Sequence, residues 1–258
     1  MHTMRNFKLG GIPLALTEEH HEVYRAWQKL RGATLLHVDA HSDHTSGALA
    51  TDPLDPHYWT FLNCANFILP AVGNGIISRF YWLNPHVPSR QLQDLGATDG
   101  SSTRSLYTAV TDSRYHWSYQ SSHLFYAEPC GTRCQPDDLV VTHPFILDID
   151  LDAFCCDNNI FFSPWGYDGV KGFDERIRST TKILRHLPRP DLITVTRSQG
   201  VLDVRETYVP PTLVETVQEQ CLEALAQLYA RRTKPMPVSS RAARHDAVPS
   251  LAVSRLRD

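Results

Sequence analysis

The chain has 258 residues, of which 42% are hydrophobic and 21% are charged, and its formal net charge at pH 7 is −3. This length and composition are typical of one globular domain with a sizeable core. No long basic run precedes the C-terminal tail, and no apolar stretch is long enough to span a bilayer, so neither nucleic acid nor a membrane is the expected partner. The residues after Met1 lack the apolar core of a signal peptide, which predicts a cytoplasmic protein.

The first half of the chain is predicted to alternate between helices and strands. In chain order, the pattern predicts a helix over residues 17–30, a buried strand over 33–36, a buried helix over 61–72 and a strand over 77–83. Thr17 is the expected N-cap of the first helix, and Gly32 ends it. Gly73 and Gly75 close the second helix, and Pro85 stops the strand that follows.

The second half continues this alternation after a long polar segment. Residues 89–136 are polar and aromatic without a dependable period, and we expect them to form a substrate-facing excursion. Beyond it, the pattern predicts a buried strand over 144–147, a helix over 174–186, a strand over 192–196 and a long helix over 212–232. The predicted fold is α/β, a three-layer αβα sandwich with a mostly parallel sheet. Residues 1–233 are expected to form this domain, and residues 234–258 a flexible tail.

The six cysteines do not follow the spacing of a secreted disulfide framework. Cys155 and Cys156 are adjacent, and Cys64 and Cys221 are isolated, so buried reduced thiols are expected. The segment from Cys130 to Cys134 could form a second metal clip or a redox pair, but a single CxxxC motif is weak evidence for either.

Two short acidic clusters lie more than a hundred residues apart. The first, residues 37–43, follows the strand predicted over 33–36, and the second, residues 148–152, follows the strand predicted over 144–147. Open α/β sheets keep their functional sites at the carboxyl ends of parallel strands. We therefore expect the two clusters to meet at one edge of the sheet.

Alternation within each cluster directs its acidic side chains the same way. Side chains alternate faces along an extended chain, so Asp39, His41 and Asp43 can converge on one side. Asp148 and Asp150 can do the same in the second cluster. Carboxylates this close would partly protonate unless cations neutralised them, although a single aspartate there would only cap a helix or pair with an arginine. The two clusters predict a pair of divalent metals, and oxygen-rich ligands with imidazoles suit Mn²⁺ best, with Zn²⁺ and Fe²⁺ as rivals.

These motifs resemble those of known enzymes. The segment from Asp39 to Asp43 resembles the DAHxD signature of the arginase and agmatinase ureohydrolases, and the segment from Asp148 to Asp150 resembles their later DxD motif. A closer resemblance, which covers the chain from about residue 10 to residue 230, is to the family UPF0489. The residues that match its pattern are His20, His37 to Asp43, Asn66 to Ala71, Asp148 to Phe154 and Thr194 to Ser198.

The resemblance implies an enzyme that hydrolyses guanidino groups. Some bacterial members of UPF0489 are peptide arginases, which convert arginine side chains of ribosomally made precursor peptides to ornithine and release urea. It implies two Mn²⁺ per chain and a precursor peptide as partner, while the oligomeric state is open and a homo-oligomer is one alternative. The ligands carried over are His20 and Asp43 for one ion, His41 and Asp150 for the other, and Asp39 and Asp148 as bridging carboxylates.

Three other functions stay open. A small-molecule ureohydrolase would use the same ligands on free arginine or agmatine. A histone-deacetylase-like enzyme has a related D-x-H motif around one zinc, but Asp43 and Asp150 would be surplus there. A metal-stabilised binding protein without turnover would need only the ions.

The chemistry also needs an acid for the leaving amine. A guanidinium is resonance-stabilised and cationic, so attack on its carbon requires hydroxide, which a water with a metal-lowered pKa supplies at neutral pH. The histidines that could protonate the leaving amine are His57, His44 and His143. By resemblance, His57 has a spacing like that of the proton-shuttling histidine of arginases.

The residue that contacts the guanidinium is unassigned. Arginases carry a glutamate after their last strand, where this chain has Ser198 and Gln199. Arg197 could orient a metal-binding carboxylate or form a structural salt bridge. Asp152 belongs to the UPF0489 pattern and is expected to support a ligand or to cap the following turn. The candidates for substrate binding are Glu206, Asp168, Asn66 and Asp203.

Overall fold

The computed structural model describes residues 4–41, 43, 62–86, 106–110, 118–120, 123–125, 132–134, 139–156, 169–199 and 208–230. The strands are β1 (Arg5–Leu9), β2 (Ile12–Thr17), β3 (Ala33–Val38), β4 (Ile77–Leu83), β5 (Leu106–Val110), β6 (Ser118–Gln120), β7 (His123–Phe125), β8 (Thr132–Cys134), β9 (Phe145–Asp150) and β10 (Leu192–Thr196). The α-helices are α1 (Tyr24–Trp27), α2 (Ile68–Gly73), α3 (Phe173–Leu184) and α4 (Val214–Ala230). Short 3₁₀ turns lie at His20–Val23 and Leu151–Ala153.

Eight strands form one mixed sheet in the order β1-β2-β10-β9-β3-β4-β5-β8, and β6 pairs with β7 separately. The central strands β2, β10, β9, β3 and β4 run parallel, whereas β1, β5 and β8 pair antiparallel towards the two sides. Every residue of β3 and β9 is buried, as expected for parallel strands covered on both faces. The prediction of an α/β fold with a mostly parallel sheet is confirmed. We call the line formed by the carboxyl ends of β2, β10, β9 and β3 the carboxyl rim.

Helices cover both faces of the sheet, because neighbouring residues of a strand point to opposite sides. On one face, Leu36 of β3 and Leu147 of β9 belong to the hydrophobic cluster that includes α3 and α4. On the other face, Leu35 and Ile146 belong to the cluster of the short helices α1 and α2, which includes Trp27. The strands that lead to the carboxyl rim are thus held from both sides.

Most of the predicted elements around the sheet centre are confirmed. The strands expected over 33–36, 77–83, 144–147 and 192–196 are β3, β4, β9 and β10. The helices expected over 174–186 and 212–232 are α3 and α4, whose observed ends lie within two residues of the predicted ones.

The helix predicted over residues 17–30 is wrong at its start. Thr17 ends β2, and its hydroxyl contacts that of Thr196 at 2.9 Å across the sheet. Helical turns begin only at His20, after a capping box that starts at Glu19, and α1 ends at Trp27. Thr17 has the side chain of an N-cap, but parallel pairing of β2 with β10 extends to this residue and keeps it in the strand.

The helix predicted over residues 61–72 is too long, since α2 covers only Ile68–Gly73. Before it, the Asn63 N–H donates to the side-chain oxygen of Asn66 at 2.9 Å. This side chain replaces a backbone acceptor, so the chain turns there instead of continuing as a helix. Residue 61 lies outside the described part of the chain.

Sequence patterns predict no strand before residue 17, yet β1 and β2 form a hairpin there. Gly10 and Gly11, with φ of 58° and 90°, make its two-residue turn in the left-handed region that favours glycine. Pro13 is tolerated because it lies opposite Lys8 and ahead of Leu14, where pairing with β10 starts. The Gly-Gly pair is the local signal that identifies such a hairpin.

Residues 89–136 contain more regular structure than their sequence predicts. β5 and β8 extend the main sheet beyond β4, and β6 and β7 form a separate hairpin. Cys134 lies in β8, whereas Cys130 and the predicted tail over 234–258 fall outside the described residues. None of the described helices is both long enough and apolar enough to cross a membrane.

Candidate metal centre

The strands deliver both acidic clusters to the carboxyl rim. Asp148 and Asp150 lie at the end of β9, and Asp39 follows directly after β3, the neighbour of β9 in the sheet. β2 ends at the same rim, where backbone N–H groups that follow β10 donate to carbonyl groups at the end of β2. These bonds hold the turn that carries His20 beside the two clusters.

His20 lies at the centre of a first group of candidate ligands. Its Nδ1 lies 2.8 Å from an oxygen of Asp43 and 3.0 Å from oxygens of Asp39 and Asp150, while its Nε2 lies 2.9 Å from Asp148. The side chain is 1% exposed, and Nδ1 makes no hydrogen bond of good geometry within the described structure. Five of the six predicted ligands therefore lie together, four carboxylates around the imidazole of His20.

A second buried histidine, His37, contacts the same carboxylates and is absent from the predicted ligand set. Its Nδ1 lies 2.8 Å from Asp148, and its Nε2 lies 3.2 Å from Asp39. Its ring stacks on that of His20 with centroids 5.1 Å apart, and Phe67 packs against His20 at 4.8 Å. The sequence does carry a signal for His37, since residues two apart in a strand share a face and His37 therefore points the same way as Asp39.

His41 and Asp152 form a second group, which shares Asp39 with the first. His41 Nδ1 lies 2.9 Å from Asp152 and 3.4 Å from Asp39. Asp39 turns one oxygen towards His20 and His37 and the other towards His41, so it belongs to both groups. The described residues therefore offer two groups that could each hold a metal ion, His20 with His37 and Asp39, and Asp39 with His41 and Asp152.

The candidate ligands are divided between these groups differently from the assignment that the resemblance implies. That assignment pairs His41 with Asp150, but Asp150 lies beside His20 with Asp43, and Asp152 lies beside His41. An oxygen of Asp150 accepts the Asp152 N–H at 3.0 Å and so caps the 3₁₀ turn after β9. This turn breaks the period-two alternation, as does the end of β3 at residue 38. Asp152 is consequently a candidate ligand as well as part of a capped turn.

Hydroxyl groups from β10 and the residues after it orient the β9 carboxylates. The Thr194 hydroxyl donates to Asp148 at 2.5 Å, and the Ser198 hydroxyl donates to Asp150. Asp43 and Ser198 have left-handed backbones, with φ of 49° and 41°. Such backbones cost non-glycine residues roughly 1–3 kcal/mol and persist where the surroundings demand them. The first and last residues of the Thr-x-x-Arg-Ser pattern over 194–198 thus support the acidic side chains.

Burial and charge act in opposite directions on the ionisable groups of this site. Burial lowers the pKa of His20, but neighbouring carboxylates, Asp148 first, outweigh burial and raise it well above its usual value. In the same way, burial opposes but the charge of Asp39 raises the pKa of His37 to about 10. Burial, reinforced by Asp39, raises the pKa of Asp43 to about 7. Protons on these groups balance the acidic cluster, and a bound cation would replace them.

The segment that carries Asp152 is fixed by a buried arginine of α3. Arg176 donates to the Gly169 carbonyl at 2.7 Å and to the carbonyl that follows the 3₁₀ turn at 2.6 Å. A Cβ on Gly169 would lie 2.3 Å from the carbonyl oxygen of Cys156, so only glycine fits there. The Nε2–H of His86 donates to the Asp152 carbonyl at 2.7 Å, and burial together with the Arg176 charge lowers the pKa of His86 to about 3.

The structure places His143 at the other end of β9 from the cluster, a position that does not favour it as the general acid. His143 precedes β9, and because a strand rises roughly 3.3 Å per residue it lies about 16 Å from Asp148 along the strand. Its Nδ1 contacts Asp191 at 2.6 Å. The other two histidine candidates, His44 and His57, lie outside the described residues.

The predicted substrate-binding residues are only partly described. The side-chain oxygen of Asn66 closes the turn before α2, so the structure gives this buried residue a structural contact. Arg197 lies 3.4 Å from Glu18 and also pairs with Glu215. Neither glutamate belongs to the metal groups, so these contacts favour a structural salt bridge as the role of Arg197. The remaining candidates, Glu206, Asp168 and Asp203, lie outside the described residues.

No protein-family model matches this sequence, and no curated protein sequence matches it. The chemistry of the site has to carry the functional interpretation. That chemistry is a buried acidic cluster with interspersed histidines, at the carboxyl rim, with the composition and the distances of a site for divalent cations.

Proposed function

We propose that this protein is a hydrolase that uses two divalent metal ions, with Mn²⁺ as the preferred metal. It converts arginine side chains of a peptide to ornithine and releases urea. The observation that carries the proposal is the convergence of His20 with carboxylates of both acidic clusters at the carboxyl rim. The resemblance of the motifs to UPF0489 supplies the substrate class. A three-layer αβα sandwich of the arginase and deacetylase type is the fold that goes with this proposal.

The side chains present fit two divalent cations. Nδ1 of His20, Nε2 of His37 and Oδ2 of Asp39 are buried without a hydrogen bond among the described residues. The two nitrogens lie 3.0 Å and 3.2 Å from that oxygen. Buried ligand atoms that face one another are costly unless a cation satisfies them. The five aspartates outnumber the three histidines, so the cluster needs protons on residues such as Asp43, whose pKa is raised to about 7, or bound metal ions to neutralise it.

We assign the proposed ligands to the two ions according to the two groups. One ion would be held by His20, His37, Asp43 and Asp150, and the other by His41 and Asp152. Asp39 would be shared by both ions, and the resemblance adds Asp148 as a second shared carboxylate. Asp39 faces both groups, whereas Asp148 contacts the two histidines of the first group. Bound metal ions would lower the pKa of a water molecule and so supply hydroxide at neutral pH, which attack on a guanidinium carbon requires.

The chain itself supplies orientation, charge and a proton. Thr194 and Ser198 hold the β9 carboxylates in place, and the acidic character of the rim attracts a cationic guanidinium. The leaving amine would take its proton from a histidine, and a carboxylate would contact the guanidinium. The candidates for these two roles are His57 or His44, and Glu206 or Asp168.

The test is mass spectrometry of a peptide incubated with the protein and Mn²⁺. Suitable substrates are synthetic peptides with a central arginine and a precursor peptide encoded beside this protein's gene. Each converted arginine should lower the peptide mass by one cyanamide unit, because water adds and urea leaves. Asp148→Asn should abolish conversion, whereas Asp174→Asn, the same change on the exposed side of α3, should leave it intact.

Other outcomes identify other functions. Unchanged peptide together with urea release from free arginine or agmatine would indicate a small-molecule ureohydrolase. Bound metal without turnover of any guanidino compound would indicate a binding protein. A single tightly held zinc in active protein would overturn the two-metal proposal in favour of deacetylase-like chemistry.

A further inference from the structure

β1 is the terminal strand of the main sheet, and its outer edge has no partner strand among the described residues. The register of the hairpin fixes which groups face that edge. Leu9 and Ile12 form the hydrogen-bonded pair that closes the two-residue turn, and the pairs then alternate. The N–H and C=O groups of Asn6 and Lys8 therefore point away from β2. Lys8 lies opposite Pro13, which has no N–H to donate, in agreement with this register.

An apolar groove runs beside this edge, between β1 and α4. It is a cavity of about 470 Å³, lined on the helix side by Leu222 and Ala226 and on the strand side by Phe7 and Leu9. Phe7 is 50% exposed, and only one other large hydrophobic side chain in the described part of the chain, that of Val140, is comparably exposed. An unpaired strand edge with an exposed aromatic ring and a groove behind it is a surface suited to a partner.

We propose that β1 pairs with β1 of a second copy of this chain, antiparallel about a twofold axis that passes at Phe7. In this register Asn6 faces Lys8 of the second copy, and Lys8 faces Asn6 of the second copy. The outward backbone groups therefore form two hydrogen-bonded pairs. The two Phe7 residues face each other in the non-hydrogen-bonded pair between them. The main sheets of the two copies become continuous, and the two copies of α4 lie on the same face.

The strand is complementary to itself in this arrangement. Arg5 lies opposite the apolar Leu9 of the second copy, and Lys8 lies opposite the neutral Asn6, so no like charges face each other. Both Phe7 rings lie on the groove side of the sheet, where the second copy covers the apolar lining. A contact that uses one patch twice closes as a dimer and leaves no free β1 edge.

The dimer is independent of the proposed hydrolysis. Two strands, β2 and β10, separate β1 from β9, which carries Asp148 and Asp150, so edge-to-edge pairing at β1 does not involve these ligands. The paired strand has only five residues, and such a narrow contact predicts a dimer that forms at micromolar protein concentrations.

Sedimentation velocity of the full chain tests the proposal, with variants that separate the edge from the hairpin. Wild-type protein should sediment as a dimer at micromolar concentrations. Asn6→Pro removes an outward N–H and leaves the bonds to β2 in place, so it should give monomers. Asn6→Thr keeps the N–H and should dimerise like wild type. Thermal unfolding of each variant establishes that the domain remains folded.

A disulfide cross-link tests the register directly. It uses a different variant, so it remains informative even if Asn6→Pro fails to fold. Cα atoms of a non-hydrogen-bonded antiparallel pair lie about 4.5 Å apart, which is within the range of a disulfide bond. Phe7→Cys should therefore form a disulfide between two copies under mild oxidation. Peptide mapping should place this bond at position 7 of both copies. Lys8 is also exposed, but in this register it faces Asn6 of the second copy. Lys8→Cys and the wild-type protein should therefore not cross-link.

Two results overturn the proposal. One is wild-type protein that stays monomeric throughout the micromolar range, including the case in which the β1 edge binds an added extended peptide instead. The other is a dimer that persists in Asn6→Pro while Phe7→Cys gives no bond at position 7.

Discussion

Replacement of His20 by alanine tests the site most directly, because His21 beside it provides a matched control. The imidazole of His20 is 1% exposed and lies within 3.0 Å of four carboxylates. His21 is only partly buried, and none of the contacts within the described structure joins it to these carboxylates. Burial lowers the pKa of His21, so this residue does not share the raised pKa of its neighbour.

The size of the effect follows from the burial of these charges. Removal of one partner of a buried ion pair costs about 3–5 kcal/mol. In a domain of this size, each kcal/mol shifts the Tm by roughly 2–4 °C. His20→Ala should thus lower the Tm of the metal-free protein by about 6–20 °C, whereas His21→Ala should change it by no more than about 2 °C.

Calorimetry in the presence of a chelator measures this difference, and elemental analysis after loading with Mn²⁺ measures the metal. Wild type and His21→Ala should hold close to two ions per chain, and His20→Ala should lose one of them together with most of its turnover. If the two variants behave alike, or if His21→Ala is the damaging one, the assignment of His20 is wrong and the first group must be rebuilt around another residue.

Three further predictions concern ligand sharing, pH and the loop that supports the second group. Asp148→Asn should empty both metal positions and Asp150→Asn mainly one, and equal losses by elemental analysis would contradict the bridging assignment. A chelator keeps the protein free of metal, so the effect of protonation on stability can be measured alone. A group whose pKa is higher in the folded than in the unfolded protein stabilises the fold at low pH, and this stabilisation is lost as the pH rises. Calorimetry should therefore show metal-free protein losing stability towards pH 7 through Asp43 and towards pH 10 through His37; a rise instead would refute the charge balance. Gly169→Ala should cost about 1–3 kcal/mol in urea unfolding because its Cβ meets a backbone oxygen, and an unchanged midpoint would show that the loop can move.

The sequence predicts the centre of the sheet because burial there leaves a local record. β3 and β9 are buried along their whole length, so each is a continuous apolar run in the sequence. α4 has a buried stripe at Val217, Cys221 and Leu225, which is the helical period. In these elements the residue pattern and the tertiary environment agree, and no distant partner is needed to identify them.

The hairpin and the first helix depend on distant partners. β2 is held by β10, and the hydroxyl contact between Thr17 and Thr196 joins residues separated by 179 positions. A threonine followed by glutamates has the local signature of a helix start, and nothing nearby in the sequence reports the strand that overrides it. Local patterns therefore misassign Thr17, although the Gly10–Gly11 pair does indicate a turn before it.

The meeting of the two acidic clusters was predictable from the sequence, but the part played by His37 and the division into two groups were not. Asp39 and Asp148 follow buried strands, and this position alone predicts that they meet. The division of their neighbours depends on the 3₁₀ turn after β9, which directs Asp152 towards His41 and leaves Asp150 with His20. A turn of three residues has no hydrophobic period, so the sequence does not indicate the direction in which Asp152 points.

The strand order gives an independent reason for the position of the site. From β3 the chain passes through α2 to β4 on one side, whereas from β9 it passes through α3 to β10 on the other. α2 and α3 belong to clusters on opposite faces of the sheet, so β3 and β9 flank the point where the direction of winding reverses. Open α/β sheets bind their ligands in the crevice at such a point. Asp39 comes from one side of it and Asp148 from the other, with His37 paired to Asp148 between them. The sheet topology thus brings together the two carboxylates that we propose as bridging ligands. A change that moved either strand would move Asp39 away from Asp148 and so disrupt both proposed metal positions at once.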